Sequence, residues 1–249
     1  MARRDRMWQG ALAGLLLAAA FAAAAQASEP QCRLEPYGLR MGGDIGKLRA
    51  SLAGRGEIRI VAIGSSSTAG AGATAPDRAY PAQLERYLAR QWPQRQVRVL
   101  NRGINGEEAA DMIRRFGDDI LKVSPDLVIW QVGTNYLMRN EGVGAYADTL
   151  REGLERLKRQ GIGVILMDPQ YAPRVLTDPD HQAIVDLIAD VAKEHDVPLF
   201  PRFRLMQAWS VQGIFWLQML TPDMLHLNDW SYGCIGTALG EELVGRDSK

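Results

Sequence analysis

A serine, an aspartate and a histidine, which together can carry out nucleophilic catalysis, occur in that order along the chain. The serines Ser65–Ser67 follow a short apolar run, and Asp223 and His226 lie three residues apart near the carboxyl terminus. A serine hydroxyl is a poor nucleophile until an imidazole removes its proton, and a carboxylate can hold that imidazole in the required tautomer. An Asp and a His at this spacing can share one turn and face the same serine. The combination favours acyl transfer, although an Asp-x-x-His pair alone is common by chance.

Apolar runs alternate with helical patterns from residue 57 onward. The predicted strands cover 58–63, 97–100, 127–132, 164–167 and 197–200. Strands that are apolar throughout and separated by helices are typical of a parallel sheet covered on both faces. Ligand sites in such sheets lie beyond the carboxyl ends of the strands. The segments 64–68, 101–106 and 133–135, which follow the first three strands, therefore belong to one candidate site.

Length and composition fit one such domain. The 249 residues include 47% hydrophobic and 23% charged residues, as in ordinary globular proteins. We predict a single three-layer α/β domain over 57–249, with a central parallel sheet of about five strands flanked by helices. An N-terminal arm, 28–56, precedes it. The irregular segment 169–180 and the segment 203–220 are expected to determine the depth of the substrate pocket.

The first 27 residues have the pattern of a cleaved signal peptide. Three arginines lie within the first six residues, an apolar run covers 10–25, and Ala25-Gln26-Ala27 matches a small-x-small cleavage site. The rival interpretation is a membrane anchor, but the run is shorter than the roughly 20 residues that a spanning helix needs. We therefore predict a periplasmic or secreted protein that begins at Ser28 and has no membrane span after cleavage.

Charge and motif content exclude several other classes. The 29 basic and 29 acidic residues balance, and no basic cluster marks a nucleic-acid partner. Two cysteines and three scattered histidines lack the spacing of metal ligands. A GxGxxA match at 70–75 runs into Pro76 rather than a helix, so no dinucleotide is expected. We predict no cofactor and no metal.

Cys32 and Cys234 are the two cysteines of the chain. An oxidising compartment permits a disulfide between them, and the alternative is two unrelated buried thiols. A bridge would tie the N-terminal arm to the final helical stretch, which follows the Asp-x-x-His pair. Because it would close a very long loop, the chain-entropy model gives an upper stabilisation of about 4–5 kcal/mol.

Four polar segments, taken together, resemble the sequence blocks of the SGNH/GDSL hydrolases. They are Gly64–Gly70, Asn101–Gly106, Gly133–Asn135 and Asp223–Asn228. The similarity extends over about residues 58–245. It implies the flavodoxin-like fold of that family and a serine esterase that works through an acyl-enzyme. The substrate implied is a small-molecule, glycan or lipid ester.

The resemblance also implies a role for individual residues. It makes Ser66 the nucleophile, His226 the base and Asp223 its partner. The Ser66 N–H, the Gly103 N–H and the Asn135 amide become donors of an oxyanion hole, which usually supplies the largest catalytic contribution. Activity is then expected to rise with pH as the His226 imidazole loses its proton.

Two positions depart from the family pattern. Ser65 stands where the first block usually has Asp, and Met224 stands where the last block often has Gly. Neither position is a member of the predicted triad. We therefore expect these residues to alter loop geometry or substrate fit.

Other interpretations stay open for single residues and for the whole chain. Gly103 can be a simple turn residue and Asn135 a helix cap, while His181 and His195 are expected to be structural. Three aromatic residues lie either in the core or in an acyl or sugar pocket: Trp209, Phe215 and Trp216. The alternative functions are an O-acetyltransferase that acts on an envelope polysaccharide and a non-catalytic envelope binding module.

Overall fold

Five parallel strands form the centre of the molecule. The computed structural model describes residues 32–139 and 142–245, and the predicted leader 1–27 lies outside these ranges. The strands are β1 (Glu57–Gly64), β2 (Gln96–Gly103), β3 (Leu127–Gln131), β4 (Gly163–Met167) and β5 (Leu199–Phe200). They are ordered β2-β1-β3-β4-β5, and every neighbouring pair is parallel. The predicted class, an α/β domain with about five parallel strands, is confirmed.

Two groups of helices cover the sheet. The α-helices are α1 (Ile45–Leu52), α2 (Ser66–Ala69), α3 (Tyr80–Gln91), α4 (Ala109–Arg114), α5 (Thr134–Arg139), α6 (Tyr146–Lys158), α7 (Pro173–Leu176), α8 (His181–Glu194), α9 (Arg202–Val211), α10 (Trp216–Met219) and α11 (Asp229–Val244). Helix α11 packs against α1 and α3, and α6 packs against α4 and α8. Helix α6 has apolar residues at steps of three and four, and the stripe that includes Leu150, Leu154 and Leu157 is buried. Its burial explains why α6 forms where the periodicity places a helix.

Close packing between α6 and the sheet depends on one glycine. Every residue of β3 is buried, and Trp130, its fourth residue, has no exposed surface. Gly153 of α6 lies against that indole, and a Cβ atom at this position would overlap the ring. The absence of a side chain therefore lets α6 approach the strand.

The strand order brings the candidate segments together. The chain leaves β1 for β2 on one side and later returns to β3 on the other side, so the direction of winding changes between β1 and β3. Ligands of such sheets bind at this switch point, outside the carboxyl ends of the strands. The segments after β1, β2 and β3 thus lie side by side at one edge of the sheet.

Three elements differ from the sequence-based expectation. Strand β5 begins at Leu199 because the Val197 N–H instead closes the end of α8 on Ala192 O and Pro198 has no N–H. The arm contains α1, whose N-terminus is capped by Asp44. The segment 169–180, expected to be irregular throughout, includes the single turn α7.

The arm is covalently joined to the last helix. Cys32 and Cys234 form a disulfide, and Cys234 is buried within α11. In the part of the chain that the structure describes, no helix combines the length and apolar character needed to cross a bilayer.

Candidate active site

Ser66, His226 and Asp223 form a continuous chain of hydrogen bonds. Ser66 is the first residue of α2, directly after β1, and its side chain is nearly buried. His226 Nε2 lies 2.9 Å from Ser66 Oγ, and His226 Nδ1 lies 2.5 Å from Asp223 Oδ2. The structure thus brings together three residues that are up to 160 positions apart in the chain. This geometry allows the imidazole to accept the hydroxyl proton while the carboxylate orients the ring.

The loop that carries Asp223 holds its carboxylate firmly. Asp223 Oδ1 accepts hydrogen bonds from Thr221 Oγ1 at 2.8 Å and from the N–H groups of Leu225 and His226, each at 2.9 Å. Partial burial raises the pKa of this carboxyl, but the hydrogen bonds from His226, Leu225 and Thr221 outweigh it and hold the pKa well below its usual range. The carboxylate therefore stays ionised opposite the imidazole.

Met224, one of the two departures from the family pattern, has a left-handed backbone. Its φ is 57°, a conformation that glycine adopts freely and that a side chain disfavours. The Met224 carbonyl accepts the Arg174 N–H at 3.2 Å, which ties the loop to α7. The position that often carries Gly is thus one where the backbone itself favours Gly.

Ser65, the other departure, is buried against a side chain of β3. Gln131 Oε1 accepts the Ser65 N–H at 2.9 Å and the Ser65 hydroxyl at 3.0 Å, and Thr68 Oγ1 donates to the same oxygen at 3.2 Å. A hydroxyl suits this place because it can donate to the amide oxygen. An ionised Asp has no proton to donate there.

Two of the predicted oxyanion donors keep a hydrogen without an acceptor among the residues that the structure describes. The Ser66 N–H has no acceptor within the described ranges. Asn135, at the start of α5, donates one hydrogen of its amide to Glu107 O at 2.6 Å. The second hydrogen on Asn135 Nδ2 has no acceptor in the described part of the chain. Asn135 is the second residue of α5, so it lies inside that helix and is not its cap.

Gly103 is placed differently. Its N–H donates to Asn101 Oδ1 at 2.9 Å, so this donor already has an acceptor. A Cβ atom at Gly103 would overlap the backbone of Ala69 in α2. The observed contacts make Gly103 the residue that allows α2 to lie against β2, and its predicted oxyanion role stays a prediction without support from the placement of its N–H.

A second glycine of the same segment presents a free N–H. Gly106 has a φ of 80° in the turn after β2, and no acceptor for its N–H occurs among the residues that the structure describes. The next carbonyl, Glu107 O, is the one that binds Asn135. Gly106 therefore lies beside an oxyanion candidate. The sequence contains a signal for this residue, because the segment 101–106 has two glycines and either of them can present its N–H to a ligand.

Charged groups hold that turn in place. Arg115 Nη2 donates to Arg102 O at 2.8 Å, and Arg115 Nε donates to Glu107 Oε2 at 2.7 Å. One largely buried guanidinium thus contacts both ends of the turn, 102–107. Arg139 Nη2 also donates to Gly106 O at 3.0 Å, which fixes the orientation of that peptide.

The aromatic residues before the triad loop divide between core and surface. Trp209 is fully buried and packs edge-on against Trp230, so it belongs to the core. Trp216 is half-buried against Tyr171, whereas Phe215 is 76% exposed. For Phe215 and Trp216, a role in a substrate pocket stays a prediction.

The two remaining histidines have structural contacts. His181 Nδ1 lies 2.6 Å from Asp178 O at the start of α8, and His195 ends the same helix. Within the described ranges, no three side chains of metal-ligating type converge on one point.

Comparisons with known proteins agree with this fold. The model of the non-GDSL lipase-like family matches residues 31–246. An acetylxylan esterase from Geobacillus stearothermophilus is 29% identical over 110 residues, which cover 40% of this chain and 50% of that protein. The chain thus matches about half the length of this relative.

Solved structures extend the comparison to the fold. A two-domain esterase active on acetylated mannans, crystallised with mannopentaose, has 20% identity and a TM-score of 0.65 over 82% of this chain and 53% of that chain. A tryptophan variant of Axe2, an acetylxylan esterase from Geobacillus stearothermophilus, has 20% identity and a TM-score of 0.65 over 75% of this chain and 94% of that chain. At such identities the similarity demonstrates a shared fold.

Proposed function

The chain belongs to the non-GDSL lipase-like family, and from that premise we propose that it is a serine esterase that removes acetyl groups from a carbohydrate. Its fold is the SGNH-type esterase fold that the sequence resemblance implied. The observation that carries the proposal is the hydrogen-bond chain from Ser66 through His226 to Asp223 at the carboxyl edge of the sheet.

The first step forms an acyl-enzyme. Ser66 Oγ attacks the carbonyl carbon of the acetyl ester while its proton moves to His226 Nε2. The Asp223 carboxylate accepts the Nδ1–H and stabilises the resulting imidazolium. The ester C–O bond then breaks, and His226 returns the proton to the sugar oxygen that leaves.

The second step releases acetate. A water molecule takes the place of the departed alcohol, and neutral His226 removes one of its protons as the oxygen attacks the acetyl carbon. The bond to Ser66 Oγ breaks, and the proton on His226 returns to that oxygen. The enzyme is then restored with no cofactor consumed.

Both steps place negative charge on the former carbonyl oxygen. We propose that the Ser66 N–H, the free hydrogen of Asn135 and the Gly106 N–H stabilise this charge. Supporting this set, the two backbone donors lack acceptors among the described residues, and Asn135 is bonded to the carbonyl that follows Gly106. Donors fixed in advance are effective because they need no reorganisation during the reaction.

The acetylated carbohydrate is proposed from the relatives. One matched protein is an acetylxylan esterase, and one structural neighbour is active on acetylated mannans. Acetate release from acetylated xylan and acetylated glucomannan, compared with release of longer acyl groups from nitrophenyl esters, tests this specificity. Preferential release of a long acyl chain would contradict it.

We also propose that the protein is exported. The support is the leader pattern of residues 1–27 together with the Cys32–Cys234 disulfide, because disulfides persist mainly in oxidising compartments. Fractionation of the native host tests this, with full-length protein retained inside the cell as the contrary outcome.

The central experiment compares the mature protein with its Ser66→Ala variant on p-nitrophenyl acetate. We expect kcat to fall at least about 1,000-fold, because the nucleophile is lost. Ser51→Ala, a change of the same type on the remote helix α1, is the matched control and should retain full activity. Equal rates for the wild type and Ser66→Ala would remove Ser66 from the mechanism. Labelling of Ser66 by a fluorophosphonate separates an enzyme from a binding module.

A further inference from the structure

A fully buried arginine lies beneath the site. Arg202, the first residue of α9, has no exposed surface. It donates through Nη1 to Ser67 Oγ at 2.9 Å, through Nη2 to Gln170 Oε1 at 3.0 Å and through Nε to Asp168 O at 2.9 Å. Each nitrogen of the guanidinium therefore has a defined acceptor.

Gln170 extends these contacts in two further directions. Its Oε1 also accepts Thr134 Oγ1 at 2.8 Å, and its Nε2 donates to Leu225 O at 3.2 Å. Gln170 is fully buried, as is Ser67, and Thr134 is almost so. We call Ser67, Thr134, Gln170 and Arg202 the buried polar network.

The network contacts the chain neighbours of three of the groups that the mechanism uses. Ser67 follows the nucleophile, Thr134 precedes Asn135, and Leu225 precedes His226. These neighbours lie on α2, on α5 and in the loop before α11, which are three separate parts of the chain. Arg202 and Gln170 connect all three parts through the interior of the protein.

Burial makes this connection rigid. A polar group without a partner in the interior is costly, so each member holds the others in position. The planar guanidinium fork fixes directions as well as distances. Burial lowers the pKa of Arg202 to about 10, so the fork keeps its charge at neutral pH.

We propose that Arg202 and Gln170 are positioning residues that align the nucleophile, the base and the Asn135 oxyanion donor with one another. The inference rests on the proposed esterase function. A displacement of about 1 Å at a catalytic group can lower a rate by about 100-fold, so alignment of three separate segments has a measurable effect.

Thr134 offers a matched pair of variants. Thr134→Val keeps the shape of the side chain and loses the hydroxyl, whereas Thr134→Ser keeps the hydroxyl and loses a methyl group. If the bond to Gln170 positions Asn135, kcat on p-nitrophenyl acetate falls at least tenfold in Thr134→Val with little change in KM, and Thr134→Ser retains activity. A role in packing alone predicts the reverse order and would overturn the proposal.

Arg202→Lys tests the centre of the network. Lysine keeps the charge but cannot reach Ser67, Gln170 and Asp168 O with one ammonium group. We expect a loss of kcat of at least tenfold beyond any loss of folded protein. Leu157→Ala, which opens a cavity in α6 near the start of β4, controls for lost stability and should leave kcat per folded molecule unchanged. Equal kcat losses in both variants would refute positioning.

A spectroscopic measurement keeps this inference separate from the proposed reaction. The His226 Nδ1 proton, held between His226 and Asp223, is expected as a downfield proton resonance. In Gln170→Met, which releases Leu225 O, this resonance should shift or broaden, whereas Leu157→Ala should preserve it. Absence of turnover and of fluorophosphonate labelling in the wild type would refute the esterase proposal only. An unchanged resonance in Gln170→Met would refute the positioning proposal.

Discussion

The Asn101 side chain accepts the Gly103 N–H at 2.9 Å and donates through Nδ2 to Thr68 O at 2.8 Å. One amide thus fastens the end of β2 to the helix that carries the nucleophile. The same bond occupies the donor that the sequence resemblance assigned to the oxyanion hole. Stabilisation of the oxyanion is therefore expected from Ser66, Gly106 and Asn135.

Asn135→Ala is expected to lower kcat about 100- to 1,000-fold, because one oxyanion donor is lost. KM should change little, since the donor acts on charge that develops in the transition state. Steady-state kinetics on p-nitrophenyl acetate measure both constants, and thermal unfolding monitors the lost bond to Glu107 O. A loss of less than threefold in a folded variant would exclude Asn135 from the oxyanion hole.

Met224→Gly is expected to raise the free energy of unfolding by about 0.5–1 kcal/mol, because glycine removes the cost of the left-handed backbone at φ 57°. Chemical denaturation measures the change. Asp196→Gly is the matched control, at φ 51° on the surface. Its gain should be smaller, since Asp tolerates this conformation better than Met does. A destabilised Met224→Gly variant would show that packing of the Met side chain outweighs backbone strain.

Strong periodic patterns made most of the fold predictable. The apolar stripe of α6 was enough to predict a helix, because a helix that covers a sheet buries one face. The continuous apolar runs of β1 and β3 were enough to predict strands of a parallel sheet, because such strands are buried on both faces. Helix α1 was not predicted because it has only two buried positions, Leu48 and Leu52. They lie about one helical turn apart, and two residues are too few to define an apolar stripe. Strand β5 was overextended because the hydrogen bond that removes Val197 from it joins the residue to a helix end.

The site could be predicted only in part. The grouping of Ser66, Asp223 and His226 followed from residue types, chain order and the family resemblance, and the structure brings these residues together. The bond from Gly103 to Asn101 joins residues two apart, a local contact that asparagine often makes. The bond from Asn101 Nδ2 to Thr68 O, which orients this amide, depends on how α2 lies on β2, and no spacing reveals it. Arg202 and Gln170 carried no signal either, because a buried arginine looks like a surface residue in sequence.

Gly153→Ala is expected to destabilise the protein by about 1–3 kcal/mol, because the new methyl group overlaps the buried Trp130 ring. Gly233→Ala is the matched control, also within a helix but with no atom near the added Cβ. There alanine should stabilise by about 0.5–1 kcal/mol through helix propensity. Denaturant unfolding of both variants gives the comparison, and equal effects of the same sign would contradict the packing argument.

Asp168→Asn is expected to change how stability depends on pH. Burial raises the pKa of Asp168 to about 7, against the lowering effects of the Phe203 N–H and Arg202. Because the folded pKa lies above that of the unfolded chain, wild-type stability should fall as pH rises from about 4 to about 7. Asparagine mimics the protonated acid, so the melting temperature of the variant relative to wild type should increase over this window. A difference in melting temperature between variant and wild type that does not change with pH would contradict the raised pKa of Asp168.

Removal of the disulfide is expected to lower stability without lowering activity. The bridge joins positions 202 residues apart, and the chain-entropy model gives a loss of up to about 4–5 kcal/mol for the Cys32→Ala, Cys234→Ala double variant. Because the bridge acts mainly by restricting the unfolded chain, kcat on p-nitrophenyl acetate should be unchanged where the variant is folded. The free energy of unfolding of the wild type, measured in the presence of reductant, should match that of the double variant. An unaltered free energy of unfolding, or a lost kcat in folded protein, would show that the bridge acts on the native state instead.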